Sequence, residues 1–303
     1  MNKLALVAVV FPILVSQRAV ADCGGIPFKA QAVIFEPDQR AVIGFNGQEE
    51  ILLLSADLRV SEPTKILQVL PLPSEPKVTK GDFEVFVKAT NLINSKLRRP
   101  KPARAKGGMG GMGGMGEAEL LPAGEVTFHD KIGSHELSVT HVLDHRGFLD
   151  WVEDYLRKAG VDNPTIPEAM KAVVAEYLQD RFQWFVFDVV EMGKEVKTKE
   201  AIQYRFPTRS LYYPLRITRS EEGDTKIRLL ILSPELVRLP RLDGGEVRLA
   251  HEPIKITSKE LRSLGSNDLA ALIKGDHSML RIWEITGPLS GFKRDILTSM
   301  SGR

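Results

Sequence analysis

The sequence predicts an α+β fold in which antiparallel sheets carry a few grouped helices and one flexible Gly/Met-rich insertion. Two observations lead to this class. Short apolar runs with the spacing of strands occupy both ends of the chain, and the helical spacings are grouped between them. The composition, with 43% hydrophobic, 26% charged and 7% aromatic residues, is that of a globular protein and excludes a collagenous, coiled-coil or disordered chain.

Residues 1–21 are expected to be a secretory signal peptide that is not part of the fold. Lys3 precedes twelve apolar residues, Leu4–Val15, and an A-x-A site ends at Ala21. A bilayer span takes about 20 apolar residues, so no membrane span is expected once the chain is cut between Ala21 and Asp22. The protein is therefore expected to be exported, to a periplasmic or extracellular location.

Cleavage would leave a chain without net charge and with one cysteine. Loss of Lys3 and Arg18 lowers the 41 basic residues to 39, equal to the 39 acidic residues, so nucleic acid is not an expected partner. Cys23 is the single cysteine, which excludes an internal disulfide. It would be buried as a free thiol, lipidated, bound to metal, or bridged to an envelope partner by an intermolecular disulfide, and the sequence leaves these open.

Residues 22–97 are expected to form an antiparallel strand meander followed by a helix. Pro37-Asp38 indicates a turn, and Asn46-Gly47 indicates a two-residue hairpin. A helical face of apolar residues covers residues 82–97. The predicted strands are Ala32–Phe35, Ala41–Phe45, Ile51–Leu54 and Ile66–Leu70.

Residues 98–122 are expected to form a flexible linker. Six bases, two prolines and no acid lie between Lys96 and Lys106, and residues 107–116 read GGMGGMGGMG. Such a composition offers almost nothing to bury, so it favours a flexible connection or a surface insertion.

Residues 123–303 are expected to form a C-terminal α+β part that packs with residues 22–97 as one unit. Asp144 is the expected cap of one helix, and Thr165 with Glu168 forms the capping box of a second. The run Phe182–Val190 is apolar on both faces, which predicts a central strand. The other predicted elements are strands at 126–128, 137–142, 211–218, 226–232 and 279–285 and two short helices within 258–274.

Five features resemble a known family when taken together and in order. They are Cys23-Gly24-Gly25, Leu70-Pro71-Leu72-Pro73, Phe148–Val152, Tyr177 leading to Phe182–Phe185, and Leu211-Tyr212-Tyr213-Pro214-Leu215-Arg216-Ile217-Thr218. The set is similar to a family of exported bacterial and archaeal proteins known as a domain of unknown function. The similarity covers most of residues 23–235, and this chain departs from the pattern in its Gly-Met insertion and its single cysteine. The resemblance implies fold and export, and it implies no catalytic residues.

A metal site is the more specific functional hypothesis. Thioethers suit Cu(I), and imidazoles suit Zn(II) or copper, so either metal is a possible cofactor. The competing interpretation is that the methionines belong to a spacer and the histidines to the surface. The candidate ligands are Met109, Met112, Met115, His129, His141 and His145.

Two charged residues stand within apolar runs. Asp188 and Arg216 would either pair across a sheet or line a pocket. No nucleophile elbow, zinc-protease motif or phosphate-binding loop is present. The favoured function is an exported binding or structural protein of the cell envelope. The alternatives are a periplasmic or extracellular copper- or zinc-binding protein, and an enzyme without a recognisable motif.

The export prediction is tested by the mature N-terminus. Sequencing of the protein recovered from outside the cytoplasm should read Asp22-Cys23-Gly24-Gly25, because the A-x-A site ends at Ala21. A protein that retains Met1, or that carries a lipid on Cys23, would contradict the predicted cleavage.

Overall fold

The computed structural model describes residues 24–29, 32, 34–82, 84–97, 124–158, 160–161, 164–195, 197–198, 200–221 and 223–300. In these residues two sheets lie face to face, and each outer face is covered by helices. The predicted α+β class is confirmed. The predictions for the signal peptide (1–21) and for the 98–122 linker lie outside the described residues.

One sheet has five strands and is antiparallel throughout. Its third strand, β8, is paired on both sides, as its apolar faces predict. In spatial order the strands are β1 (Gly24–Pro27), β4 (Thr64–Leu72), β8 (Trp184–Met192), β7 (His135–Val142) and β6 (Gly124–Ile132).

The other sheet has nine strands and is mixed. The path of seven runs through β13 (Glu246–Leu249), β15 (His277–Pro288), β12 (Asp224–Ser233), β2 (Ile34–Phe45), β3 (Glu49–Val60), β10 (Ile202–Pro207) and β5 (Lys77–Lys80). The two further strands are β14 (Ile254–Thr257) beside β15 and β9 (Lys197–Thr198) beside β3. Strands β12 and β2 pair in parallel, and the remaining pairs are antiparallel.

Five α-helices and a small ribbon complete the described residues. The ribbon joins β11 (Leu211–Tyr213) to β16 (Ile296–Thr298). The helices are α1 (Glu84–Leu97), α2 (Phe148–Lys158), α3 (Glu168–Gln179), α4 (Ser258–Ser263) and α5 (Asn267–Leu272), and 3₁₀ helices cover Arg216–Ser220 and Leu289–Gly291.

The buried apolar side chains form three main layers. One fills the space between the two sheets. The second lies between the five-stranded sheet and helices α2 and α3, and the third lies between the nine-stranded sheet and helices α1, α4 and α5. Burial of apolar surface in these layers is the main force that stabilises such a stack. No helix in the described ranges is long and apolar enough to cross a membrane.

The predicted N-terminal meander is wrong in two respects. Strands β2 and β3 form the hairpin at Asn46-Gly47, but β4 crosses to the other sheet. Strand β4 is buried on both faces along most of its length, so it needs partners on both sides and takes β1 and β8. The predicted turn at Pro37-Asp38 is a register shift within one continuous strand, because a bulge accommodates a residue that donates no amide hydrogen bond.

Three predictions in the C-terminal part are also wrong. Helix α2 begins at Phe148, and Asp144 instead accepts the N–H of Arg146 in the preceding turn. Pro167 occupies the cap position of α3 without a side-chain cap, so Thr165 forms no capping box. The strand predicted over 211–218 ends at Tyr213, because Pro214 has no N–H to continue the ladder.

Polar side chains lie inside the layer between the sheets. Glu50 of β3 is fully buried, and its Oε2 accepts the N–H of Tyr212 at 2.7 Å. His135 and Asp188 face each other across β7 and β8, with Nδ1 and Oδ2 separated by 2.5 Å and both side chains more than nine-tenths buried. Burial raises the pKa of Glu50 well above its usual value, and the N–H of Tyr212 offsets part of this effect.

The buried carboxyl of Glu50 predicts a pH dependence of stability. In the unfolded chain this carboxyl ionises near its ordinary pKa of 4.5, whereas in the folded chain it stays protonated to higher pH. The unfolded state therefore binds fewer protons above this value, and stability falls as pH rises, by at most about 1.4 kcal/mol per pH unit.

The substitution Glu50→Gln keeps an acceptor for Tyr212 and cannot ionise. Urea unfolding between pH 5 and pH 8 should show the variant gaining free energy of unfolding relative to wild type as pH rises. The exposed Glu246→Gln is the control and should follow wild type. Parallel curves for wild type and Glu50→Gln would contradict the prediction.

Candidate functional site

The segment from Leu211 to Arg216 crosses the interior and touches both sheets. Tyr212 and Tyr213 are almost completely buried, although each carries a polar hydroxyl. The hydroxyl of Tyr212 donates to the carbonyl of Pro71 in the five-stranded sheet at 3.0 Å, and its N–H donates to Glu50 in the nine-stranded sheet. The segment is therefore a bridge between the sheets, and its last residue enters the cleft described below.

Arg216 is the charged end of this bridge and is 8% exposed. Its Nη1 donates to Asp180 Oδ2 at 2.6 Å, at the end of α3. Its guanidinium carbon lies 3.9 Å from the centre of the Tyr177 ring, a cation–π contact. Burial acts to lower the pKa of Arg216, but the hydrogen bond to Asp180 and the charge of Asp295 raise it above its usual value.

Asp295 is the buried carboxylate beneath this guanidinium. Its Oδ1 accepts the Tyr177 hydroxyl at 2.7 Å and the backbone N–H of Arg216 at 2.8 Å, and its Oδ2 lies 3.8 Å from Arg216 Nη2. Burial raises the pKa of Asp295 to about 6, although these donors and the guanidinium act to lower it. Burial and the nearby Asp295 charge raise the pKa of Tyr177 well above its usual value.

A cleft of about 310 Å³ opens over these side chains. Six of its lining residues are charged, with equal numbers of each sign, and they are Asp180, Asp243, Asp295, Arg216, Arg241 and Arg294. The apolar remainder is Phe182, Pro240, Leu242, Phe292 and Leu297. A concave site with apolar walls and a few converging polar groups has the composition expected of a ligand pocket.

Close backbone packing positions the rim of the cleft. Gly244 has a φ of +83°, and a Cβ there would lie 2.4 Å from the carbonyl oxygen of Gly291. Only glycine allows the two loops to meet at this distance. The loops that carry Asp243 and Arg294 are thereby held together, and these two side chains face each other across 3.9 Å at the exposed rim.

The histidines proposed from the sequence are not brought together. His129 Nδ1 lies 2.8 Å from the hydroxyl of Ser138, whereas the ring of His141 stacks on Trp184 at 4.4 Å. Side chains alternate along β7, so Ser138 and His141 lie on opposite faces of the sheet. His145 is exposed in the turn before α2.

The remaining proposed site residues lie outside the described residues. These are the methionines Met109, Met112 and Met115 and the cleavage pair Ala21 and Asp22. In the ranges that are described, no group of three or more His, Cys, Asp or Glu side chains is arranged to hold a metal ion. Copper or zinc binding stays a prediction.

Asp188 and Arg216 were correctly singled out as unusual charges, but they do not pair with each other. Asp188 contacts His135, and Arg216 contacts Asp180 and Asp295. The sequence analysis did not identify Asp295. This residue lies between the basic Lys293-Arg294 and the short strand β16, and such a position predicts a solvent-exposed aspartate. The available indication was Arg216 itself, since a buried guanidinium usually pairs with a carboxylate elsewhere in the chain.

Most of the chain matches the model of a known family. A family model described as "Uncharacterized protein conserved in bacteria (DUF2330)" covers residues 17–281. This confirms the resemblance to a bacterial family of unknown function. No curated protein matches the chain.

Comparison with solved structures finds two weak similarities. A crystal structure of baculovirus P35 has a TM-score of 0.45 at 10% identity, and the alignment covers 91% of this chain and 99% of that chain. The crystal structure of a mutated baculovirus P35 after caspase cleavage has a TM-score of 0.38 at 8% identity, covering 88% and 99%.

The hydroxyl of Tyr177 can be tested against that of Tyr155. Tyr177 donates to the carboxylate of Asp295, whereas Tyr155 bonds the neutral hydroxyl of Ser138 at 2.9 Å. Tyr177→Phe should lower the free energy of unfolding at pH 8 by about 1.5–3 kcal/mol, and Tyr155→Phe by about 0.5–1.5 kcal/mol, because bonds to charged groups are stronger.

The same comparison at pH 5 separates charge from packing. Asp295, with a pKa of about 6, is then mostly protonated, so the loss caused by Tyr177→Phe should shrink towards that of Tyr155→Phe. Equal losses for the two variants at both pH values would show that the Asp295 carboxylate does not strengthen the bond.

Proposed function

The chain belongs to this bacterial family, DUF2330, and we propose that it is an exported protein that binds a short saccharide in the cleft at Arg216 and Asp295. The observation that carries the proposal is the composition of the cleft, in which balanced charges alternate with apolar walls. The proposal has two parts, the cellular location and the ligand, and each is supported by separate observations.

Support for export comes from residues 1–21. A basic residue, twelve apolar residues and an A-x-A site follow each other in the order of a cleavable signal peptide. An exported protein meets the polysaccharides and free sugars of the envelope and the surroundings.

Support for a neutral polar ligand comes from the charges. The three aspartates and three arginines that line the cleft cancel formally, so an ion of either sign gains little from the site as a whole. A sugar instead offers hydroxyls that both donate and accept. Carboxylate oxygens accept from such hydroxyls, and guanidinium N–H groups donate to them.

Support for a ring-shaped ligand comes from the apolar walls. Phe182 is partly exposed, and Leu297 is 52% exposed although it is a large apolar side chain. The C–H face of a sugar ring can cover such a surface while its hydroxyls reach Asp243 and Arg294 at the rim. The volume of about 310 Å³ lies at the lower end of the range for small-molecule pockets, which suits a monosaccharide or disaccharide.

The carboxylates of Asp180 and Asp295 favour binding over turnover, because each already has a hydrogen-bond partner in the protein. Asp180 accepts from Arg216, and Asp295 accepts from Tyr177 and from the backbone of Arg216. Both carboxylates are thus engaged in holding Arg216 and Tyr177 in place. The ligand-contacting groups in this proposal are the rim residues Arg241, Asp243 and Arg294.

The proposal is tested with the mature protein and a panel of monosaccharides and disaccharides. A binding sugar should raise the melting temperature and give a saturable calorimetric titration. Arg294→Gln and Asp243→Asn should each weaken binding by about tenfold, the loss expected for a charge-assisted hydrogen bond, without lowering stability, because both side chains are mostly exposed.

The matched control is Arg248→Gln, an exposed arginine that pairs with Glu284 away from the cleft. It should leave binding unchanged. Absence of binding by every sugar, or binding that Arg294→Gln and Asp243→Asn leave intact, would overturn the proposal. Tight binding of Cu(I) or Zn(II) instead would favour the metal-binding alternative.

A further inference from the structure

Arg281 of β15 is a buried guanidinium without a carboxylate. It is 9% exposed, and its one hydrogen bond in the described residues is a long one, 3.4 Å from Nη1 to the carbonyl of Val237. None of the ion pairs formed by the described residues includes it, and its Nε is buried without a hydrogen-bond partner there. Buried arginines are ordinarily paired, so this environment is unusual.

A second donor of the same kind lies beside it. Trp283 is two residues further along β15, so the two side chains share a face, and the guanidinium lies 5.2 Å from the indole ring centre. Trp283 is 8% exposed, and among the described residues its indole N–H also lacks an acceptor. Nε of Arg281 and the indole N–H of Trp283 are thus two neighbouring hydrogen-bond donors that have no acceptor among the described residues.

The charged residues nearest to Arg281 act on it from a distance and form no ion pair with it. Burial lowers the pKa of Arg281, the negative charge of Glu252 acts to raise it, and the positive charge of Arg238 lowers it by a smaller amount. Both of these neighbours are exposed, and neither is within ion-pair distance. The polar atom that does reach Arg281 is the carbonyl of Val237, which is neutral.

We propose that Arg281 and Trp283 form a binding site for a small oxyanion, the carboxylate, phosphate or sulfate group of a ligand. An oxyanion accepts several hydrogen bonds, and guanidinium forks match its geometry. It would supply the acceptor for both unpartnered donors and the counter-charge for Arg281 together. Neither residue lines the Arg216 cleft, so the site is distinct from the proposed saccharide site.

The indole N–H of Trp283 provides a direct readout. The chain has three tryptophans, so a ¹⁵N–¹H spectrum of the labelled protein should show three indole signals, and Trp283→Phe identifies the one required. Inorganic phosphate, sulfate and acetate are titrated separately at constant ionic strength. We expect the Trp283 signal to move saturably with at least one of them, and the comparison identifies which oxyanion chemistry the site prefers.

Substitutions of Arg281 test the role of the guanidinium. Arg281→Gln should weaken the binding by at least about tenfold, and Arg281→Lys should weaken it less, because it keeps the charge and loses the planar fork. Arg248→Gln is the control for a general loss of positive charge and should change nothing. If Arg281→Gln fails to fold, Trp283→Phe, measured by calorimetry, should still show weaker binding.

Several results would overturn the proposal. They are a Trp283 signal that none of the three anions moves, a signal that chloride moves equally, and binding that survives both Arg281→Lys and Trp283→Phe at full strength. Because these readouts involve neither sugars nor the cleft, failure of the oxyanion site leaves the saccharide proposal standing, and the reverse also holds.

Discussion

The hydrogen bond from the backbone of Tyr212 to the buried carboxyl of Glu50 holds the centre of the structure. It lies between the two sheets, where neither group has water to replace its partner, so loss of the bond would leave two buried polar groups unmet. The same tyrosine anchors its hydroxyl on the opposite sheet, at Pro71. The turn at Pro214 then places Arg216 over Tyr177, and the cleft depends on that placement. Three of the five sequence features that resemble the family contain Pro71, Tyr177 and Arg216, and these features therefore meet at one location.

Local sequence patterns were sufficient to predict the fold class. They did not predict which strands and side chains far apart in sequence pair with each other. Phe182–Val190 is apolar on both faces and indeed forms a central strand, and Asn46-Gly47 forms its hairpin, because these features depend on neighbours in sequence. The transfer of β4 to the other sheet depends on the distant partner β8. The pairing of Arg216 with Asp295 likewise needs the tertiary fold, and the sequence around Asp295 resembles a solvated basic segment. Arg216 was recognisable as unusual, but its partner was not.

The two proposed sites differ in whether the charge of their buried arginine is compensated by carboxylates. In the cleft, Arg216 is matched by Asp180 and Asp295, so its charge is compensated inside the protein and the cleft as a whole is neutral. Arg281 has donors beside it and a neutral carbonyl in contact. Compensated charges favour a neutral polar ligand, whereas an uncompensated cation favours an anion. The contrast explains why one protein could hold two chemically different ligands.

The parallel pairing of β2 with β12 has a consequence for the order in which the chain folds. Residues 39–44 of β2 lie beside residues 227–232 of β12, and this pair sits in the middle of the nine-stranded sheet. Contacts between segments so far apart in sequence must close a long loop before they gain energy, which makes folding slow. During synthesis the N-terminal hairpin of β2 and β3 can form early, but its outer edge has no β12 to pair with until residues near 232 have emerged. The nascent chain therefore exposes an apolar strand edge until residues near 232 have emerged, and an unpaired edge of this kind is a site of aggregation.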